Sequence, residues 1–117
     1  MIFSHAGGTM PYLMDRYINA GLGAQKKVVP NGFLPEARKF YYDTAQVPSR
    51  PTMLALRNVV PVSQILYGTD YPYRTLEWTT DRLRDGKVFD AAELRAVDRD
   101  NARRLFPSER LPLSIYG

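Results

Sequence analysis

Short apolar segments alternate with helical segments along the whole chain, and this alternation restricts the fold more than any other feature. The strand candidates are residues 1–5, 40–45 and 64–68. Strands that alternate with helices form βαβ units, in which right-handed crossovers join parallel strands. The sequence therefore predicts an α/β fold with a parallel sheet, in the order strand, helix, strand, helix, strand, helix, helix.

The helices are predicted from apolar periodicity and from residues that favour helix ends. The first is expected to begin near Pro11 and to end at the glycines at 21 and 23, a short helical turn covers 35–39, and a third segment covers 51–60. Thr75 is a suitable N-cap for a helix that reaches Asp85. The Asp90-Ala-Ala-Glu93 stretch has the pattern of a capping box, which predicts a last helix continuing to Leu105.

Size and composition favour one small domain covering residues 1–117. Hydrophobic residues make up 44% of the chain, which is enough for a packed core, and the absence of cysteine excludes disulfides and thiolate metal sites. No run of about 18 apolar residues suggests a membrane span, and no secretion signal is visible, so we expect a cytoplasmic protein.

The charge balance is mildly basic. The 16 Lys and Arg residues exceed the 12 Asp and Glu residues by four, and they are dispersed rather than gathered with aromatic residues on one stripe. A nucleic-acid platform needs that interleaving. We therefore expect neither nucleic acid nor a membrane as a partner, and a small anionic molecule is the better expectation.

His5, the only histidine, and Asp70 occupy equivalent positions just beyond two of the predicted strands. In a parallel sheet both side chains emerge at the same edge. An imidazole and a carboxylate placed there can share a divalent cation or form an acid–base pair. The alternative is purely structural: Asp70 caps the following helix and His5 is a lone, satisfied histidine.

Four further features have structural as well as functional interpretations. Asp43 ends the second strand, where a hydrogen-bonding role at the rim of the sheet is favoured. Arg16 fits an ordinary solvated side chain, and Asn101 lies on the apolar stripe of the last helix, where it is expected to satisfy a backbone group. The His5-Ala-Gly-Gly stretch could form a hydrolase oxyanion loop, but no G-x-S-x-G nucleophile motif accompanies it.

Four motifs in sequence resemble the C-terminal part of the amidohydrolase-related (amidohydrolase 2) metal-dependent enzymes. They are FSHAGGTMPYLMDR at 3–16, FYYDTA at 40–45, ILYGTDYPY at 65–73 and NARRLFP at 101–107. The branch they resemble most contains aminocarboxymuconate-semialdehyde decarboxylase and related aromatic-acid decarboxylases. Any one motif is weak, whereas four in order over nearly the whole chain are specific.

The resemblance implies a partial (β/α)₈ TIM barrel made of its last three βα units. It implies that Asp70 is a ligand of a catalytic divalent metal, most often zinc, and that His5 is the catalytic acid–base residue beside it. It also implies that Arg16 binds the carboxylate of a small, aromatic-derived substrate in the active site of a neighbouring subunit. The expected reactions are decarboxylation or hydrolysis.

Several family features are absent. The H-x-H of the family's first strand and the metal-binding histidine near its fifth strand have no counterpart, so metal binding by this chain alone is doubtful. A barrel takes about 250 residues, and we therefore expect a C-terminal fragment. Its open sheet edges predict self-association or completion by a missing barrel half. The alternative function is a non-catalytic remnant or interaction module without activity of its own.

Overall fold

The structure is a computed structural model that describes residues 1–20 and 28–107 of the 117-residue chain. The glycines at 21 and 23 that are predicted to end the first helix, and the tail beyond Pro107, lie outside the described residues. Within these ranges, no helix combines the length and the apolar character that crossing a bilayer requires.

The described residues form three strands and six α-helices, with one π-helical segment between the last two helices. The strands are β1 (Ile2–Phe3), β2 (Tyr41–Asp43) and β3 (Ile65–Leu66). The α-helices are α1 (Met14–Ala20), α2 (Phe33–Ala37), α3 (Arg50–Val59), α4 (Leu76–Asp85), α5 (Ala91–Arg95) and α6 (Asn101–Leu105). The π-helical segment is Ala96–Asp100, and short 3₁₀ turns cover His5–Gly7 and Val62–Gln64.

The three strands form one parallel sheet in the order β1-β2-β3, which confirms the predicted topology. Phe3 pairs with Tyr42, and Tyr42 pairs with Ile65, so the strands are aligned with little stagger. Their carboxyl ends therefore share one edge, and the loops that follow them lie side by side. The strands are shorter than the sequence predicts, and each neighbouring pair of strands is joined over only two residue pairs.

The core lies between the sheet and the helices that follow β2 and β3. Met53, Leu56 and Val59 recur every third residue on α3 and are buried, together with Ile65 of β3 and Val97 of the π-helical segment. The other side of the sheet is less covered, since Ile2 and Phe3 are 42% and 39% exposed. Strand β1 is thus an edge strand with a partly open face within the described part of the chain.

Helix ends follow the predicted signals at two places. Thr75 Oγ1 accepts a hydrogen bond from the backbone N–H of Trp78, and α4 begins at Leu76 as expected. Asp90 and Glu93 form the predicted capping box, each side chain accepting from the other's backbone N–H. The start of α1 was predicted too early, because turns cover residues 8–13 and the helix begins only at Met14.

A candidate active-site edge of the sheet

The structure brings His5 and Asp70 together at the carboxyl-terminal edge of the sheet. His5 lies two residues beyond β1 and Asp70 lies four residues beyond β3. His5 Nε2 is 3.8 Å from Asp70 Oδ2, and the two side chains are 43% and 32% exposed. The pair is therefore close enough for electrostatic attraction, too long for a direct hydrogen bond, and open to a ligand.

Four non-glycine residues at this edge have a left-handed backbone. The φ angles are 55° at His5, 53° at Ala6, 63° at Gln46 and 68° at Asp70. Non-glycine residues adopt this region in only a few per cent of cases, and the conformation costs about 1–3 kcal/mol where it persists. Such residues cluster at functional sites, and their concentration on three adjacent loops marks this edge as the candidate site.

Asp43 fixes the backbone of His5. Its Oδ1 accepts hydrogen bonds from the backbone N–H of His5 at 2.8 Å and of Ala45 at 3.0 Å. This is the hydrogen-bonding role at the rim of the sheet that the sequence favours for Asp43, and the structure confirms it. The acid links the end of β1 to the end of β2 and thereby helps to set the position of the imidazole.

Gln46 holds the carboxylate of Asp70, a contact that sequence reasoning missed. Its side-chain Nε2 donates a 2.9 Å hydrogen bond to Asp70 Oδ2, the same oxygen that faces His5. In the sequence, Gln46 stands in a proline-containing loop and no motif singles it out. The only sequence signal is its position, just past the second strand, on the loop between those of His5 and Asp70.

Thr44 fastens the two loops that carry Gln46 and Asp70. This fully buried residue donates through Oγ1 to the Gly68 carbonyl at 3.0 Å and accepts from the Gly68 N–H at 3.1 Å. Its own N–H donates to the Leu66 carbonyl at 3.0 Å. The loop after β2 is thus tied to the loop after β3, immediately before Asp70.

Asp70 does not cap the following helix. The N-cap of α4 is Thr75, whereas the backbone carbonyl of Asp70 accepts from the Tyr73 N–H in a turn. The capping interpretation of Asp70 is therefore wrong, because the loop places its carboxylate beside His5 and Gln46 instead.

Arg16 and Asn101 lie away from this pair. Arg16 is exposed on α1, and no hydrogen bond or ion pair joins its guanidinium to another residue within 1–20 and 28–107. Its role in a neighbouring subunit stays a prediction. Asn101 is buried, and its Nδ2 donates to the carbonyls of Val62 and Ile65, each at 2.8 Å. The predicted structural role of Asn101 is confirmed.

The donor set at the edge fits one ligand of a metal centre and not a whole centre. Among the described residues, no three His, Cys, Asp or Glu side chains lie close enough together to hold a metal ion. Zinc sites use three or four protein ligands. Asp70 can supply one carboxylate, so a zinc site that included it would need further ligands from outside this edge.

A cavity of about 460 Å³ lies apart from this pair, between the sheet and the first two helices. Its walls are mostly apolar and aromatic, and they include Phe3, Met10, Phe33, Phe40 and Tyr42. Neither His5 nor Asp70 lines it. His5 and Asp70 therefore lie on the open edge of the sheet rather than in this apolar cavity.

Two curated relatives are similar to nearly the whole chain. Decarboxylase yanB from Aspergillus niger is 32% identical over 98% of this chain and 33% of its own length. The 6-methylsalicylic acid decarboxylase from Penicillium expansum is 33% identical over 92% of this chain and 34% of its own length. The chain thus spans about a third of the length of the curated relatives it matches.

Solved structures agree with this similarity. A 2,6-dihydroxybenzoate decarboxylase, solved with 2,6-dihydroxybenzoate, superposes with a TM-score of 0.75 at 25% identity, over 90% of this chain and 33% of its own. A dihydroxybenzoic acid decarboxylase from Polaromonas sp. JS666, solved with manganese and 2-nitroresorcinol, has a TM-score of 0.75 at 22% identity, over 94% of this chain and 34% of its own. The predicted partial TIM barrel is confirmed.

The family model described as Amidohydrolase matches residues 1–108, which contain every strand and helix described above. The predicted resemblance is confirmed by this match together with the similarity to decarboxylases of that family. The chain belongs to the amidohydrolase family.

Proposed function

We propose that this chain supplies a proton-transfer residue, His5, and a metal ligand, Asp70, to the active site of a decarboxylase that acts on a small aromatic carboxylate. The observation that carries the proposal is the 3.8 Å approach of His5 Nε2 to Asp70 Oδ2 at the carboxyl-terminal edge of a parallel sheet. Active sites of (β/α)₈ barrels are built at that edge. The similarity to named decarboxylases gives the reaction class.

Asp70 would hold a divalent cation together with ligands from the part of the family's length that this chain does not cover. The manganese in one structural neighbour supports a divalent metal and leaves the choice between manganese and zinc to experiment. When bound, such a cation supplies positive charge that stabilises negative charge developing on substrate oxygen atoms.

His5 would deliver the proton that decarboxylation of an aromatic acid needs. The imidazolium donates its Nε2 proton to the ring carbon that carries the carboxylate, and the ring loses its aromaticity. The bond between that carbon and the carboxylate then breaks, its electron pair returns to the ring, and CO₂ leaves. Histidine suits this step because it gains and loses a proton close to neutral pH.

Arg16 would bind the substrate carboxylate in the active site of a neighbouring subunit. Its guanidinium is exposed on α1, on the loop–helix segment that follows His5. A guanidinium can form two parallel hydrogen bonds with a carboxylate. This assignment requires the intact enzyme to be an oligomer, in line with the partly open face of β1.

A chimera tests the proposal, because the chain covers only about a third of its relatives. The matching third of the Penicillium expansum 6-methylsalicylic acid decarboxylase is replaced by residues 1–108 of this chain. Loss of CO₂ from 6-methylsalicylic acid yields 3-methylphenol, which is measured by chromatography after adding Mn²⁺ or Zn²⁺. We expect turnover by the chimera, reduced by about 10²–10⁴-fold in His5→Ala.

Matched variants separate the assigned roles from general damage. Asp70→Ala should lose activity and bound metal together, while His5→Ala should lose activity and keep the metal. Asp81→Ala removes an exposed carboxylate on α4 and should change neither. A folded, metal-loaded chimera that turns over equally well with and without His5 would overturn the proposal.

The second candidate is a non-catalytic module, and one observation favours it for the isolated chain. The described residues hold no set of three metal-binding side chains. The isolated chain is then expected to release no CO₂ from aromatic acids and to self-associate through β1. Elemental analysis and light scattering of the purified chain test this, and a catalytically active monomer would exclude it.

A further inference from the structure

Asp70 receives one hydrogen bond to its carboxylate among the described residues, and the donor is Gln46. The bond joins Nε2 to Oδ2 at 2.9 Å, whereas the imidazole of His5 stays 3.8 Å from the same oxygen. Within the described ranges, no hydrogen bond reaches Oδ1. The carboxylate is therefore held by one oxygen, and the second is available to a ligand.

We propose that Gln46 is a positioning residue that fixes the orientation of the Asp70 carboxylate. The contact itself is independent of the function assigned above, and its purpose, presenting Oδ1 to a cation, rests on that proposed function. Carboxylates that bind metals are oriented by hydrogen bonds from residues that do not touch the metal. A neutral amide suits this purpose because it donates a hydrogen bond without adding a positive charge that would compete with the cation.

The backbone of Gln46 has a conformation that is unfavourable for a residue with a side chain. Residues 44–47 form a turn in which the Val47 N–H donates to the Thr44 carbonyl at 3.2 Å, and Gln46 occupies the third position with φ 63°. Glycine and asparagine are the usual residues at a turn position with positive φ. A glutamine is strained in this conformation, whereas a glycine would not be. The one hydrogen bond described for the Gln46 side chain is the bond from its amide to Asp70.

The surrounding loops make this amide a rigid donor. Thr44, two residues before Gln46, is tied through Oγ1 to both backbone groups of Gly68, two residues before Asp70. Ala45 is buried, and its N–H is held by Asp43. Because both loops are fixed to each other, the distance between Gln46 and Asp70 is set by the fold rather than by two mobile side chains.

NMR of the purified chain tests the contact without any metal. The side-chain amide signal of Gln46 should be shifted and protected from exchange with water, and it should revert to free-glutamine values in Asp70→Ala. Couplings that report the Asp70 side-chain rotamer should indicate one rotamer in the unaltered chain and an average in Gln46→Ala. Gln64→Ala removes a different 2.8 Å amide hydrogen bond, to the Arg38 carbonyl, and should leave the Asp70 couplings unchanged.

Gln46→Gly is the control for a variant that simply fails to fold. It removes the amide, and glycine adopts the positive φ at this position without strain. It should melt no lower than the unaltered chain and still show an averaged Asp70 side chain. Asp70 couplings that are equally well defined with glutamine, alanine or glycine at position 46 would overturn the proposal.

A titration with Mn²⁺ alone, on the chain and on the chimera, links the contact to the site. Where the unaltered protein binds Mn²⁺, Gln46→Gly should weaken binding by about 10–100-fold, and unchanged binding would count against the positioning role. If neither protein binds Mn²⁺, the proposed function fails, whereas the positioning of Asp70 is decided by the NMR result. The two failures are therefore distinguishable.

Discussion

The backbone N–H of His5 donates a 2.8 Å hydrogen bond to Asp43 Oδ1, across 38 positions of sequence. The same oxygen accepts from Ala45, so one carboxylate oxygen joins the ends of β1 and β2. This bond helps to hold the left-handed backbone of His5, and that backbone sets the direction in which its side chain leaves the main chain. The acid that positions the histidine is thus on the neighbouring strand, whereas the acid that faces its ring is Asp70.

Removal of the Asp43 carboxylate should destabilise the fold and release His5. In Asp43→Ala, two backbone N–H groups lose their acceptor, and we expect the free energy of unfolding to fall by about 2 kcal/mol. Urea unfolding followed by circular dichroism measures this. Asp43→Asn keeps an oxygen at the same place, and its free energy of unfolding should fall by less than half as much as that of Asp43→Ala. A change in Asp43→Ala within the error of the urea extrapolation would show that the bond is dispensable.

A methyl group at position 68 should disturb the same acid. A Cβ on Gly68 would lie 3.2 Å from Asp43 Cβ and 3.3 Å from Asp43 Cγ, and the backbone at Gly68 is not left-handed. The cost of Gly68→Ala therefore comes from crowding, and we expect a loss of about 1–3 kcal/mol. Because the two sites are in contact, their effects should not add in Gly68→Ala, Asp43→Ala. Strict additivity in that double variant would argue against crowding of Asp43.

The order of elements and the edge shared by His5 and Asp70 are predictable because their signals are local. Apolar runs mark the strands, and Thr75 and the Asp90–Glu93 box mark two helix starts, each within a few residues of the element concerned. Once the strands are parallel, the positions of His5 and Asp70 just beyond them place both at one edge. No knowledge of tertiary contacts is needed for that step.

The features that were missed depend on contacts between distant parts of the chain. Helix α2 begins at Phe33 rather than Pro35, and Phe33 stacks on Tyr17 of α1 with ring centroids 4.8 Å apart. The Gln46 contact needs a strained turn and a partner 24 residues away. Local sequence propensity does not report contacts between distant residues or backbone strain, so these two features could not be predicted from the sequence.

Asn101 should be among the most sensitive positions of the last helix. It is fully buried, and its Nδ2 supports the carbonyls of Val62 and Ile65 around the start of β3. In Asn101→Ala, the Val62 carbonyl keeps its hydrogen bond from the Ile65 N–H, whereas the Ile65 carbonyl loses the donor described for it. We expect a loss of about 2 kcal/mol in the free energy of unfolding. Asn58→Ala, at an exposed position of α3, is the control and should change it by less than about 0.5 kcal/mol. Equal effects in the two variants would refute the bridging role.

Two neighbouring acids should affect the acid stability of the fold in opposite directions. The hydrogen bond from Arg99 lowers the pKa of Asp100 below its ordinary value of 3.8, and Arg95 and Arg103 add to this effect. Asp100 therefore contributes stability above pH 3.8 that is lost as the pH falls through its folded-state pKa. Partial burial raises the pKa of Asp98, against the attraction of Arg84, so its contribution is present below pH 3.8 and is lost as the pH rises through its folded-state pKa.

The stabilities of Asp100→Asn and Asp98→Asn should therefore differ in opposite directions from that of the unaltered chain near neutral pH. In strong acid the three stabilities should become similar. At about pH 6, Asp100→Asn should unfold at a lower urea concentration than the unaltered chain and Asp98→Asn at a higher one. As the pH falls towards about 2 and both acids take up protons in the folded and the unfolded state, the differences among the three proteins should shrink. Both effects should be small, because both carboxylates are at least partly accessible to water. Shifts of the same sign in the two variants near neutrality would show that one of the two charge environments is assigned wrongly.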